Sequence, residues 1–401
     1  MSVPEEALGI RRSRATAVVL VTLATFTDIV AYSICVPVLP DFARRLGASP
    51  TMIGVLFASF GLTLLAVSVP MGAVSDRVGR KVPLVAGMLV LAGASALFAV
   101  ARTLPMMFVA RMLQGAADGV TWGVGFALVA DLYPTEDRGR VMGYVVSGTS
   151  VAILIGPTIG GWLYEAGGVS LPFFFVSALA LVWAAGFLWI RPVRLVAPGP
   201  RPSIWSVVRV PAVAACAGLI VVVGATMAML EPVLPLFFDR RLGLSPARIG
   251  LLFGGAAVAS TLLPFVFGPM ADRFGGRRVT MTGLAATAIW MPMLATAVGF
   301  RSALVLMLVQ WTAIALVMTP SLAYMADVTA FAGGDAYGVG YGIFNTAWGM
   351  GVLVGPALGG LLFERLGFAR TALGWSAGVL LVTLLLSRVK LRVPPVDVEA
   401  V

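Results

Sequence analysis

Four ionisable side chains lie well inside long apolar runs of this sequence: Asp28, Arg111, Asp118 and Glu231. A charge at the centre of a bilayer costs about 2.5–3.5 kcal/mol on insertion scales, so such residues face a bundle interior, a partner or water. The chain contains no histidine. A proton carried at mid-depth must therefore ride on a carboxylate, because the side chain that ordinarily titrates near neutrality is missing. Asp28 lies about 13 residues into the first run, roughly 20 Å along a helix rising 1.5 Å per residue. A carboxylate there can hold an ammonium or a proton, or serve only as an acceptor between helices. Tyr32, one turn later on the same face, offers it a ring or a hydroxyl. Glu231 precedes Pro232, whose missing donor loosens the helix. A carboxyl at that position can take up a proton when its side of the site is dry, or lie hydrated near the interface. Arg111 and Asp118 share a helix face with Gly115 but stand two turns apart, too far for easy contact. For Asp118, proton coupling and structural pairing are both open. Tyr341 and Asn345 share a face at four-residue spacing and are the best further lining candidates. Trp122, Tyr144, Trp290, Trp311, Tyr324 and Trp348 offer rings that suit cations. Asp41, Asp239 and Asp335 fall at helix ends or in loops and read as solvated.

The elements that must position these groups follow from composition. Of 401 residues 59% are hydrophobic and 11% charged, with a mean hydropathy of +0.98. Soluble domains carry about 25% charged residues, so this chain has too little polar surface to cover itself in water. Its apolar runs are long and continuous rather than alternating, which selects helices over a barrel. They fall at about 15–40, 51–74, 82–101, 105–129, 141–164, 172–190, 211–236, 247–270, 279–299, 303–326, 339–362 and 372–388. The fold class expected is an all-α integral membrane protein of twelve transmembrane helices in two six-helix halves. The first half is expected at 1–191, a cytoplasmic linker rich in arginine and proline at 192–210, and the second half at 211–401.

The net charge of +10 sits in short clusters between the runs. It reads as a topology signal and not as a nucleic-acid surface. With the N-terminus inside, inner segments hold 18 Lys and Arg and outer segments nine, which places both termini in the cytoplasm. The first run is too long for a cleavable signal peptide and is expected to remain as a helix. Cys35 and Cys216 fall in opposite halves, which argues against both a disulfide framework and a thiolate metal site. The sequence offers no nucleophile and base pair, no metal-ligand cluster and no nucleotide loop. Neither an enzyme, a cofactor nor ATP as driving force is expected.

The halves repeat one another. PVLPDFARRLGASPTMIG (Pro37 to Gly54) returns as PVLPLFFDRRLGLSPARIG (Pro232 to Gly250), SDRVGRK from Ser75 as ADRFGGRR from Ala271, and Gly156-Pro157-x-x-Gly160-Gly161 as Gly355 to Gly360. Parallel halves related by an axis along the membrane normal are one plan of secondary transporters, with the substrate site between them near mid-membrane.

The loop Gly72-x-x-x-Asp76-Arg77-x-Gly79-Arg80-Lys81 resembles the signature loop of the major facilitator superfamily. Arg111-x-x-Gln114-Gly115, and Gly148 followed by Gly156-Pro157-x-x-Gly160-Gly161, are similar to motifs of its exporters and antiporters. Within the drug:proton antiporter branch the chain resembles vesicular monoamine transporters and bacterial multidrug exporters. The likeness rests on Asp28 with Pro37 and Pro40, on Met229-Leu230-Glu231-Pro232-x-Leu234-Pro235, and on Pro320 with Tyr324 and Asp327. Where that family pairs a buried lysine and aspartate, this sequence has Phe60 and Asn345. Ala315 stands where the family has a further aspartate.

The resemblance implies a proton-coupled antiporter that exports amphipathic organic cations, drugs or monoamine-like compounds by alternating access. Asp28, Tyr32, Glu231, Tyr341 and Asn345 are the expected binding residues, and Asp28, Glu231, Asp118 and Arg111 the expected proton-coupling ones. Gly72, Asp76, Arg77, Gly79, Arg80, Gly156, Pro157, Gly160 and Gly161 are expected to serve conformational change. The expected partners are a small organic cation, protons and the lipid bilayer, with the chain a monomer in the cell (inner) membrane. A transporter of neutral solutes such as sugars is the alternative reading. A membrane sensor or scaffold fits less well, given the short linker.

Overall fold

The structure is a computed structural model that describes residues 5–190, 207–331 and 340–388. Asp335 and most of the expected linker lie outside the described residues. Every regular element among them is helical. The first half contains α1 (Glu5–Arg45), α2 (Pro50–Val78), α3 (Lys81–Ala99), α4 (Leu104–Leu132), α5 (Thr135–Gly167) and α6 (Ser170–Leu188). The second contains α7 (Pro211–Leu242), α8 (Pro246–Leu262), α9 (Pro264–Phe274), α10 (Gly276–Trp290), a 3₁₀ turn (Met291–Thr296), α11 (Phe300–Phe331) and α12 (Tyr341–Arg388).

By length and apolarity alone nine of these helices can cross a membrane, or ten when α8 and α9 count as one span bent by 42°. The bend falls at Pro264, whose ring and missing N–H break the helical ladder. The expected twelve follow from two further features. α12 runs 48 residues but turns at Gly367, whose φ of 74° suits glycine, so it holds two spans. Gly168, the equivalent residue of the first repeat, turns α5 into α6 with φ 67°. α4, at 29 residues, is long enough to cross but carries Arg111, Gln114 and Asp118 at mid-depth, which dilutes its apolarity.

Glycines set how closely the helices approach. A side chain at Gly115 would strike the Phe60 carbonyl and the Thr63 hydroxyl, and one at Gly119 would meet Ser68, so α4 lies directly against α2. In α5, Gly156 and Gly160 face Ser33 and Ile34 of α1, while Gly161 faces Pro246 of α8 in the other half. The second repeat does the same: Gly355 and Gly359 face Ala225 and Met229 of α7, and Gly360 faces Pro50 and Gly54 of α2. The repeated glycine-proline motif is thus a two-sided contact, one side within its half and one across to the other.

The halves meet through α5 with α8 and α12 with α2. These pairs are tight at the end that carries the turn at 46–49. Farther along α2 and α5 Gly72 and Gly143 face open space, and Tyr144 of α5 and Phe265 of α9 are exposed. Among the described residues the halves join tightly at the end carrying the 46–49 turn and part toward the end carrying Gly79.

Candidate functional site

Three helices bring the mid-depth charges together. α1 carries Asp28, Tyr32 and Cys35 at i, i+4 and i+7, and α4 carries Arg111, Gln114 and Asp118 at i, i+3 and i+7, so each set lines one helix face. α7 supplies Glu231 from the other half. Asp28, Arg111, Gln114, Asp118 and Glu231 are all buried. The Arg111 guanidinium lies 4.6 Å from the ring centre of Phe60, 4.9 Å from that of Tyr32 and 5.1 Å from that of Phe57. A desolvated cation over a ring gains about 2 kcal/mol or more. Arg111 Nη1 donates to Gln114 Oε1 at 2.9 Å, and the Cys35 thiol points at the same oxygen from 3.7 Å. Arg111 Nε and Nη2 are buried without a hydrogen-bond partner, and Arg111 forms no ion pair among the described residues.

The Tyr32 hydroxyl donates to Glu231 Oε2 and so joins the two halves at mid-depth. Its ring tilts against Phe60 at 5.0 Å. Phe60, Ala228 and Val352 form a small buried cluster, with Tyr32, Leu64 and Trp348 packed on it. One turn nearer the parted end, Asp28 and Asp118 lie within hydrogen-bonding reach of each other, with Trp122 beside Asp28. Asp28 Oδ2 is buried and unpartnered. The site therefore has two tiers: Arg111, Tyr32 and Glu231 toward the locked end, and the Asp28–Asp118 pair toward the open one.

This arrangement differs from the sequence reading in several places. Tyr32 turns its ring to Arg111 and its hydroxyl to Glu231, not to Asp28, because α7 approaches α1 on that side. Asn345 is exposed and has no hydrogen-bond partner among the described residues. The side chains of Tyr341 and Asp327 lie outside the described residues. Trp311 packs edge-on against Phe253 in the core, and Trp290 and Tyr144 are exposed. Tyr324 is buried with its hydroxyl unpartnered. Asp41 and Asp239 are not simply solvated. Asp41 accepts from Arg44 at 3.0 Å, Arg45 at 2.8 Å and Tyr164 at 2.7 Å, and Arg44 also pairs with Asp239 across the halves. Phe57, which walls the guanidinium, was invisible in the sequence as anything but an apolar residue.

At the opposite end the signature loop folds around Arg80. Gly79, with φ 90°, closes α2 and lets the chain turn back. Arg80 pairs with Asp76 at 2.6 Å and with Asp131 of α4 at 2.7 Å, and donates to the Ser75 hydroxyl at 2.6 Å. Burial opposes its charge, but the hydrogen bonds and charges of Asp131 and Asp76 outweigh this and raise Arg80 above its ordinary pKa. Lys81 donates to the carbonyls of Leu188 and Ile190, and Arg277 does the same to Leu386 and Ser387 in the second half. Arg77 is exposed and outside this network, and Gly72 faces open space. Asp131 joins from a helix that the sequence reading ends at 129. Replacing Arg80 by Met leaves Asp131 without its partner and is expected to cost about 2–3 kcal/mol, read as a lower apparent melting temperature. An unchanged transition would show that the pair contributes nothing.

Paired six-helix halves, charged groups sealed between them at mid-depth and, among the described residues, close contact at one end define a membrane transporter. The sequence profile described as the Major Facilitator Superfamily matches residues 21–237 and 216–401. The chain belongs to that superfamily, a family of transporters and not of enzymes, and is a multi-pass membrane protein. It is similar to the MFS-type transporter SLC18B1 of Mus musculus, at 28% identity over 89% of this chain and 83% of that one. The chromaffin granule amine transporter of Rattus norvegicus is 29% identical over 79% of this chain and 61% of that one. The vesicular acetylcholine transporter of Drosophila melanogaster is 26% identical over 88% and 68%. Among solved structures, a bacterial homologue of the human lysosomal transporter Spinster, inward-facing and unoccupied, superposes with a TM-score of 0.78 over 93% of this chain and 95% of that one, at 13% identity.

Proposed function

We propose that the chain is a proton-coupled antiporter of amphipathic organic cations. The observation that carries this reading is the set of three buried carboxyl groups, Asp28, Asp118 and Glu231, around the buried guanidinium of Arg111 at the seam of the two halves. With all three ionised the site has an excess of negative charge, and burial makes such an excess costly unless a cation or protons neutralise it. Two buried carboxyl groups within reach of each other share a proton more readily than they ionise together. A cation entering from the parted end meets the Asp28–Asp118 pair first and displaces that proton. Glu231, held by Tyr32 of the other half, links its own protonation to whether the halves meet at mid-depth. The names of the chromaffin granule amine and vesicular acetylcholine transporters support an amine-like cation as the cargo.

The excess of Lys and Arg on the segments at the Gly79 end supports a cytoplasmic position for that end and for both termini. On that orientation the structure is inward-open, ready to load a cation for export from a cell's inner membrane. The working unit is the single chain, with 1–191 and 211–401 as its two moving bodies and 192–210 as the tether. In proteoliposomes with an imposed pH gradient, addition of a lipophilic amine is expected to move protons in the opposite direction, and sugars are expected to move none. Proton movement with a sugar and none with any amine would establish the neutral-solute reading instead.

A further inference from the structure

The first turns of α2 and α8 are each capped by a carboxylate from the opposite half. Glu364 Oε2 accepts from the Thr51 amide at 2.8 Å, and Glu165 Oε1 accepts from the Ala247 amide at 3.0 Å. These are equivalent contacts of the two repeats. Glu165 follows Gly161 by four residues in GPTIGGWLYE, and Glu364 follows Gly360 by four in GPALGGLLFE. Thr51 and Ala247 each follow the proline of a Ser-Pro pair, Ser49-Pro50 and Ser245-Pro246. A helix start has orphan amides and a positive dipole end, so an acid at that point is held by both hydrogen bond and charge. Neither acid reaches a helix of its own half in this way, so each contact exists only while the 46–49 end is closed. The two caps also differ. The Ser49 hydroxyl accepts from the Met52 amide at 3.3 Å, whereas Ser245 makes no side-chain cap of its own. Glu364 in turn also meets the side chains of Thr51 and Ser49, whereas Glu165 holds its helix start by the Ala247 amide. Tyr164, next to Glu165, donates to Asp41 at 2.7 Å and anchors this part of α5 to α1.

We propose that Glu165 and Glu364 are paired latches that set the balance between the two access states by capping helices of the opposite half when the 46–49 end closes. The latch is a property of the fold, and its test needs no substrate, so it stands or falls separately from the cation reading. The experiment measures distances between spin labels at Arg102→Cys and Arg301→Cys, exposed positions at that end on different halves, in the full chain in lipid nanodiscs; Cys35 and Cys216 are buried. Each alanine variant removes a charged acceptor from the positive end of a helix, so it is expected to shift the ratio of open to closed molecules about two- to fivefold. The double variant is expected to add the two single shifts. Glu165→Gln, which keeps the acceptor, should return at least half of the shift. Arg370→Ala, an exposed change at the same end, should give none. Should an alanine variant fail to assemble, Glu165→Asp, one methylene short of the Ala247 amide, is expected to show the shift in folded protein. An unchanged distance distribution in the double variant, or in Glu165→Asp when the alanine variants do not assemble, would overturn the proposal. So would an equal shift in Arg370→Ala.

Discussion

Asp28→Asn is expected to abolish cation transport driven by a pH gradient. Losing one partner of a buried charge pair costs about 2–5 kcal/mol, which at 1.4 kcal/mol per tenfold is a loss of roughly 30-fold or more in affinity. The reason is positional. Asp28 Oδ2 is a buried carboxylate oxygen without a hydrogen-bond partner, so an incoming ammonium can take it without first breaking a protein contact. Asp118 lies within reach of it, and an Asn at 28 would leave Asp118 with an amide in place of a carboxyl to share a proton. Counterflow, in which labelled and unlabelled substrate exchange with no net proton movement, separates binding from coupling. Asp28→Asn should lose both counterflow and uphill uptake. Glu231→Gln should keep counterflow, because the amide still accepts from Tyr32, and lose uphill uptake, because it carries no proton. Retention of uphill uptake by Asp28→Asn at native rate would remove this residue from the mechanism.

Much of this site was legible before any fold was known, for one physical reason: a charge inside an apolar run is costly enough to need an explanation. That argument reached Asp28, Arg111, Asp118 and Glu231, and helical spacing correctly put Arg111 and Asp118 on one face. It could not reach their partners. Phe57 and Phe60 are ordinary apolar residues in sequence, and only the close approach of α2 and α4 at Gly115 puts them over the guanidinium. The same holds for Tyr32, whose hydroxyl was free to go to Asp28 until α7 supplied Glu231. Asp41 and Asp239 read as solvated because helix ends usually are, but end-to-end contact of the halves gathers them around Arg44. The internal repeat carried more than was taken from it. Its glycines and prolines were visible as packing devices, while the acid four residues beyond each motif, Glu165 and Glu364, became meaningful only once each was found at a helix start of the other half.

Arg111→Met is expected to destabilise the folded chain by about 3–5 kcal/mol, the usual cost of removing one partner from a buried charged set. Arg111 has no direct ion pair among the described residues, so the loss is not that of a single salt bridge. It is the loss of the cation nearest to Asp28, Asp118 and Glu231, all buried, and of three ring contacts together with the Gln114 hydrogen bond. Arg111→Lys keeps the charge but not the planar group that lies over three rings while donating to Gln114, so it should fall between the native chain and the methionine variant. If the acids are what make the methionine variant unstable, neutralising one of them must restore stability. Arg111→Met combined with Glu231→Gln should therefore be more stable than Arg111→Met alone, although Glu231→Gln by itself gains nothing. A double-mutant cycle on apparent melting temperature and on the yield of monodisperse protein measures that coupling. Additive losses in the double variant would mean that Arg111 acts through packing alone, and the charge balance on which the proton–cation exchange depends would have to be sought elsewhere in the bundle.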